Sequence, residues 1–145
     1  MPVIGLDHVV VTVSDLDAAV AFYTRIPGVE HVTYGGGDGD TADKAVDNEG
    51  DATEEARHAL RVGAQKINLH ESGDAIEPRA PKAEPGDSDL CLLTDVDADR
   101  LAVEILDADL DVELGPVERT GARGTLTSVY IRDPDDSLIE VATYE

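Results

Sequence analysis

The sequence predicts an α+β fold of two βαβββ modules whose mixed sheets curve around a shared cleft. Three observations carry this expectation. The order strand, helix, strand, strand, strand occurs twice along 145 residues. A stretch holding Pro78, Pro81, Pro85 and Gly86 separates the two occurrences as a natural joint. Several strands also place a hydrogen-bonding or ionisable side chain where an apolar one belongs, so each sheet keeps one face that must turn toward a cleft.

The elements follow in order. Residues 3–13 are rich in β-branched side chains and read as a buried strand. Ser14 is the expected helix start, with Asp15 and Asp17 suiting the positive helix end. Leu16, Ala19, Val20 and Tyr23 then recur at three- and four-residue steps, and Pro27-Gly28 ends the helix. Strands follow at about 29–34, 58–62 and 65–71, the last two joined by a hairpin at Gly63-Ala64. Residues 35–55 hold eight acids without apolar periodicity and read as a solvated insertion. A calcium loop is the alternative there, but the acid spacing does not fit one. The second module repeats the pattern. It has a strand at 88–94, a helix from Asp97 carrying Ala98, Leu101, Ala102 and Ile105, and strands near 111–118, 125–132 and 137–144. One domain therefore spans 1–145, with modules at about 1–73 and 86–145.

A chain of this length buries roughly 70% of its unfolded surface. With no Trp, one Phe and four Tyr, the core must be mostly Val, Leu, Ile and Ala. Charge is the dominant compositional feature: 32 acids stand against 11 bases, a net charge of -21. Such a surface repels nucleic acid and anionic membranes, which argues against both as partners. The acids interleave with patterned apolar segments, which predicts a folded, halophilic protein whose counterions screen the repulsion; the alternative is an ordinary acidic protein. No apolar run approaches the ~20 residues of a membrane span, and Met1-Pro-Val-Ile-Gly lacks a signal-peptide pattern. The single cysteine, Cys91, fits a reducing cytoplasm and reads as core packing in Leu-Cys-Leu-Leu.

Three strands carry the candidate chemistry. Leu6, His8, Val10 and Thr12 share one face, Asn68 and His70 another, and Leu138, Glu140 and Ala142 a third. A carboxylate such as Glu140 in a strand core costs several kcal/mol without a partner. Two histidines and a carboxylate on neighbouring strands would bind Fe(II), Mn(II), Zn(II) or Ni(II) on one side and leave positions open for substrate oxygens. Taken singly, each histidine also fits a hydrogen-bonded core or surface role, and Glu140 also fits an exposed sheet edge. His31 and His58 read as surface residues. No phosphate-binding glycine loop, Gly-x-Ser-x-Gly elbow or Cys-x-x-Cys pair is present.

Leu6-Asp-His-Val-Val-Val-Thr-Val-Ser-Asp-Leu with Ala21-Phe-Tyr, and the closing Arg132-Asp-Pro-Asp-Asp-Ser-Leu-Ile-Glu-Val, resemble the opening and ending of the vicinal oxygen chelate superfamily of glyoxalases, bleomycin resistance proteins and extradiol dioxygenases. Gln65-Lys-Ile-Asn-Leu-His-Glu, Asp89-Leu-Cys-Leu and Gly115-Pro-Val-Glu-Arg-Thr-Gly-Ala are similar to its glyoxalase-domain-containing protein 5 group. The resemblance spans the chain except 35–55. It implies one divalent metal ion, held by His8 from the first strand and Glu140 from the last. His70 is preferred as third ligand because imidazole is the stronger neutral donor, with Asp89 and Asn68 in reserve. The position of the fifth-strand histidine of dioxygenases holds Asp89, and that of the fourth-strand glutamate of glyoxalases holds Asn68; both departures bear on the reaction.

Asp136 replaces a turn glycine at a position that tolerates left-handed backbone. Tyr130 matches an aromatic pocket position and is expected, with Ser128, to line the cleft. Arg119, placed in a loop near the mouth, would bind a substrate carboxylate or else serve as a surface salt bridge. The resemblance implies a metal-dependent lyase or oxidoreductase acting on a small substrate with adjacent oxygens, commonly as a homodimer. The alternative is a metal-free binding protein that sequesters a small ligand.

Overall fold

The computed structural model describes residues 1–35, 56–74 and 76–145, so the predicted insertion lies outside the described residues apart from Gly35. The elements are β1 (His8–Val13), α1 (Leu16–Tyr23), β2 (Val29–Tyr34), β3 (Arg57–Val62), β4 (Gln65–Glu71) and β5 (Asp89–Leu93). A 3₁₀ turn (Ala98–Arg100) then leads into α2 (Leu101–Asp107), followed by β6 (Leu114–Thr120), β7 (Thr125–Arg132) and β8 (Leu138–Tyr144). The twofold βαβββ order is the one the sequence predicts.

Each module forms one four-stranded sheet, in the orders β1-β4-β3-β2 and β5-β8-β7-β6. The helix following the first strand makes the crossover that lets first and last strands pair in parallel, β1 with β4 and β5 with β8. All other pairings are antiparallel. Alternation along the strands then sorts the side chains. Val11, Val13, Ile67 and Leu69 of one sheet, Val129, Ile131, Ile139 and Val141 of the other, and Phe22, Tyr23, Leu101 and Ile105 of the helices form one buried cluster. Each such aliphatic side chain stabilises the fold by about 1.5–3 kcal/mol when fully buried. Among the described residues, the opposite face of each sheet carries no helix and holds the polar side chains.

Several boundaries differ from expectation. The first strand starts at His8, where its parallel ladder with β4 begins opposite Lys66, one residue from the start of β4. Val3, Ile4 and Leu6 are consequently exposed. Asp15, not Ser14, caps α1, accepting from Ala18 N at 3.0 Å. Ser14 is drawn away: its hydroxyl and its backbone N–H both donate to the Asp135 carboxylate. The helix stops at Tyr23, before Pro27-Gly28, with Thr24 as its C-cap. Arg119 lies on β6 instead of in a loop, paired opposite Leu126.

The modules are tied together at the β7–β8 turn. Tyr23, 1% exposed, donates its hydroxyl proton to Asp133 Oδ2 at 2.6 Å. The other oxygen of Asp133 accepts from Asp135 N and Ser137 N, each at 2.9 Å, which shapes the turn leading into β8. Asp136 completes it at φ 72°, the left-handed conformation expected there.

Candidate functional site

The helix-free face of the first sheet takes His8, Val10 and Thr12 from β1, opposite Lys66, Asn68 and His70 of β4 in parallel register. That of the second sheet takes Asp89 and Cys91 from β5, Leu138 and Glu140 from β8, and Ser128 and Tyr130 from β7. Edge strands β1 and β5 approach one another. A cavity of about 140 Å³ at this seam is lined by Asp7, His8 and Val9 on one side and Leu90, Cys91 and Leu92 on the other, with Gln65 and Lys66 beside them. Cys91 pairs with Glu140, so Glu140 stands one strand in from the seam.

The His8 ring is partly exposed, and its Nδ1 lies 2.8 Å from Asp7 Oδ2. A carboxylate on Nδ1 fixes the tautomer and leaves Nε2 as the basic nitrogen, which is how metal-ligating histidines are oriented. Glu140 is half-buried and accepts the Ser128 hydroxyl at 2.6 Å. Ser128 is itself fully buried. It sits against Gly115 (φ 121°), where a Cβ would lie 2.5 Å from the Ser128 carbonyl oxygen, so the bulge in β6 fits only glycine. Tyr130, the register partner of Glu140, accepts from Arg119 Nε at 3.0 Å. Asn68 is buried, and its Oδ1 has no hydrogen-bond donor among the described residues.

Of the predicted ligands, the structure brings His8 to the seam with Glu140 one strand beyond, and leaves His70 apart. His70 is level with Thr12, four residues along from His8, or about 13 Å at the strand rise. It lines a separate cavity with Val10, Thr12 and Arg79. Burial, then the neighbouring Arg57, lowers its pKa, partly countered by Asp74, so the imidazole is held neutral. Among the described residues of one chain, no group of three or more His, Cys, Asp or Glu side chains is placed to share an ion. Asp89 is exposed at the start of β5.

Cys91 departs from the sequence reading. It is exposed on the polar face instead of packed in the core. Alternation was the available signal: Cys91 shares parity with Asp89, while Leu90 and Leu92 face the core. Partial burial, then the Glu140 and Asp89 carboxylates, push its thiol up to about 11, so it is protonated at neutral pH. The expected surface pair His31 and His58 stack on adjacent strands, with Nε2 and Nδ1 2.9 Å apart.

Comparison with known proteins gives a consistent result. Residues 5–141 match the family model described as Glyoxalase/Bleomycin resistance protein/Dioxygenase superfamily. The chain is 40% identical over 139 residues to Virulence protein STM3117 of Salmonella typhimurium, covering 96% of this chain and 83% of that one. The crystal structure of that protein superposes with a TM-score of 0.81 at 39% identity, with both chains covered in full. Glyoxalase domain-containing protein RDO1 of Mycosarcoma maydis is 38% identical over 141 residues, covering 97% of this chain and 69% of that one. The fosfomycin resistance protein FosX of Listeria monocytogenes, solved with Mn(II) and 1S,2S-dihydroxypropylphosphonic acid, shares the fold at a TM-score of 0.54 and 18% identity, covering 97% and 90%. No helix among the described residues is long and apolar enough to cross a membrane.

Proposed function

Because the chain belongs to the glyoxalase/bleomycin resistance protein/dioxygenase superfamily, we propose that it is a metal-dependent enzyme acting on a small substrate with two adjacent oxygens. One observation supports the reading above the others. Glu140 is a half-buried carboxylate between Leu138 and Ala142 on one face of β8, and among the described residues it meets the Ser128 hydroxyl and no cation. A carboxylate so placed is stabilised by a shared cation.

The residues present fit a divalent ion. His8 and Glu140 supply a neutral imidazole and a carboxylate, the donor types that Fe, Mn, Ni and Zn accept. Asn68 has a better claim than His70 to the third position. It is two residues along from the level of His8, within diagonal reach, and its buried Oδ1 lacks a donor. When bound, the ion would polarise a substrate carbonyl or stabilise an enolate or catecholate. Ser128 holds Glu140 in one orientation, and Arg119, braced by Tyr130, offers its remaining N–H donors to a substrate carboxylate. Two helix-free faces call for covering, and a homodimer that sets the first sheet of each chain against the second sheet of its partner supplies it.

A metal-free binding protein is the second reading. It is favoured by the lack of a three-ligand His, Cys, Asp or Glu group among the described residues of one chain. Metal analysis separates the two. Protein purified without chelators and incubated with Mn, Fe, Ni or Zn is expected to hold one ion per chain. His8→Ala and Glu140→Ala should each lose it, Asn68→Ala should weaken it, and His70→Ala should keep it. Wild-type protein that stays metal-free throughout would sink the enzyme reading.

A further inference from the structure

Three cations on or beside the helix-free faces are seated on aromatic rings instead of carboxylates. Lys66 Nζ lies 3.9 Å from the Tyr34 ring centroid. The Arg119 and Arg123 guanidinium carbons lie 5.5 Å from that of Tyr130 and 4.5 Å from that of Tyr144. These rings are all the tyrosines except the buried Tyr23. The arginine–carboxylate pairs of the described residues are made elsewhere, by Arg61, Arg79, Arg100 and Arg132. In a chain where acids outnumber bases by 32 to 11, cations meeting rings instead of carboxylates on these faces run against the charge balance.

The physical difference is in what the cation retains. A carboxylate neutralises a cation and occupies its N–H donors. A ring face attracts it through the quadrupole, leaving the charge and the donors available. Lys66 is the most informative of the three. It stands opposite His8 on β1 and Arg61 on β3, while Tyr34 is level with Arg57, four residues along β3. The lysine stem must therefore run obliquely across the face to reach the ring. Lys66 also borders the seam cavity that holds His8. No ion pair of the described residues includes it.

We infer that the ligand of this site carries an oxyanion group, a carboxylate or a phosphoryl or phosphonyl group, which seats on the Lys66 ammonium where it lies over the Tyr34 ring, on the sheet face that also carries His8. This rests on the reading of these faces as a small-substrate site and narrows the substrate class. An ammonium held on a ring face keeps its N–H donors for charge-assisted hydrogen bonds to such oxygens. The surrounding negative field repels anions at long range, so capture depends on the few local cations and favours small, compact anions that reach them.

The test uses metal-free protein, so that it is independent of metal binding. Inorganic phosphate and acetate are titrated separately at constant KCl while the β4 amides and the His8 ring are followed by NMR. Wild type and Lys66→Arg should bind at least one of the two saturably. Lys66→Gln should bind at least tenfold more weakly, and Lys82→Gln, at an exposed site far along the chain, as wild type does. Phosphate tighter than acetate assigns a phosphoryl or phosphonyl group; the reverse assigns a carboxylate. Absence of saturable binding to either anion, or binding by Lys66→Gln equal to wild type, overturns the inference and leaves the metal experiment untouched. Conversely, a protein that binds phosphate through Lys66 but no metal retains the anion site and loses the enzyme reading.

Discussion

Replacing Tyr23 with phenylalanine removes one hydroxyl from a buried contact between the modules. The ring keeps its place, edge-on to Phe22 with centroids 5.0 Å apart, so the loss is confined to the 2.6 Å hydrogen bond to Asp133. Hydrogen bonds to charged groups contribute about 1.5–3 kcal/mol, and the abandoned carboxylate oxygen stays buried. A cost of about 2 kcal/mol follows at pH 8, or about 6–8 °C in melting midpoint for a chain of this size.

The pH dependence gives a second readout. Burial, then the hydrogen bond to Asp133 and the charge of that residue, raise the Tyr23 pKa far above its ordinary value. The stabilisation is therefore complete below the unfolded pKa of about 10 and declines as pH rises above it, because only the unfolded chain ionises there. The decline approaches about 1.4 kcal/mol per pH unit once the unfolded side chain is fully ionised. The stability gap between wild type and Tyr23→Phe should accordingly narrow by about 1 kcal/mol between pH 10 and pH 11, and by about 1.4 kcal/mol between pH 8 and pH 11. Urea unfolding followed by circular dichroism at pH 8, 10 and 11, in fixed high salt, measures it. A gap below about 0.5 kcal/mol at pH 8, or one that does not narrow at alkaline pH, would refute the role given to this contact.

Two further outcomes are expected. With a net charge of -21, and with exposed ion pairs that individually contribute little, the melting midpoint should climb from 0.1 M KCl upward as the screening length falls to about 3 Å near 1 M; a flat profile removes the halophilic reading while leaving the fold intact. Light scattering in high salt should give a mass near twice the 15.4 kDa of one chain, and a purely monomeric species at working concentration would count against the proposed pairing of faces.

Period-two alternation made most of this architecture legible. Ile139 and Val141 against Leu138 and Glu140, or Ile67 and Leu69 against Asn68 and His70, reveal both a strand and its two faces. Strand boundaries were less visible wherever a partner decides them. Val3 and Ile4 are as β-prone as Val9 and Val10, but β4 does not reach them. Ser14 is as good a local cap as Asp15, and only the distant Asp135 explains why it serves elsewhere. The same limit governed the site. His8 and Glu140 could be picked out on their own strands, whereas the rejection of His70 as a neighbour of His8 required the parallel register of β1 and β4. Cys91 reads as core because the three leucines around it outweigh the parity of its position, which the exposed thiol follows. Lys66 gave no sequence signal at all, since its meaning depends on the ring of Tyr34, two strands away.

The clasp at the β7–β8 turn has a consequence for the chain while it is being made. Ser14 and Tyr23 find their partners 121 and 110 residues downstream, and among the described residues β5 pairs with β8 alone, beyond β6 and β7 in the chain. Contacts this distant in sequence form slowly, and a domain emerging from the ribosome N-terminus first cannot form them until the β7–β8 turn has emerged. The nascent first module must therefore persist with its helix unfastened and the apolar side of Phe22 and Val13 uncovered. Its acids, concentrated in the stretch between β2 and β3, emerge in that same interval and repel neighbouring nascent chains at the stage when such a half-molecule is most prone to stick to them.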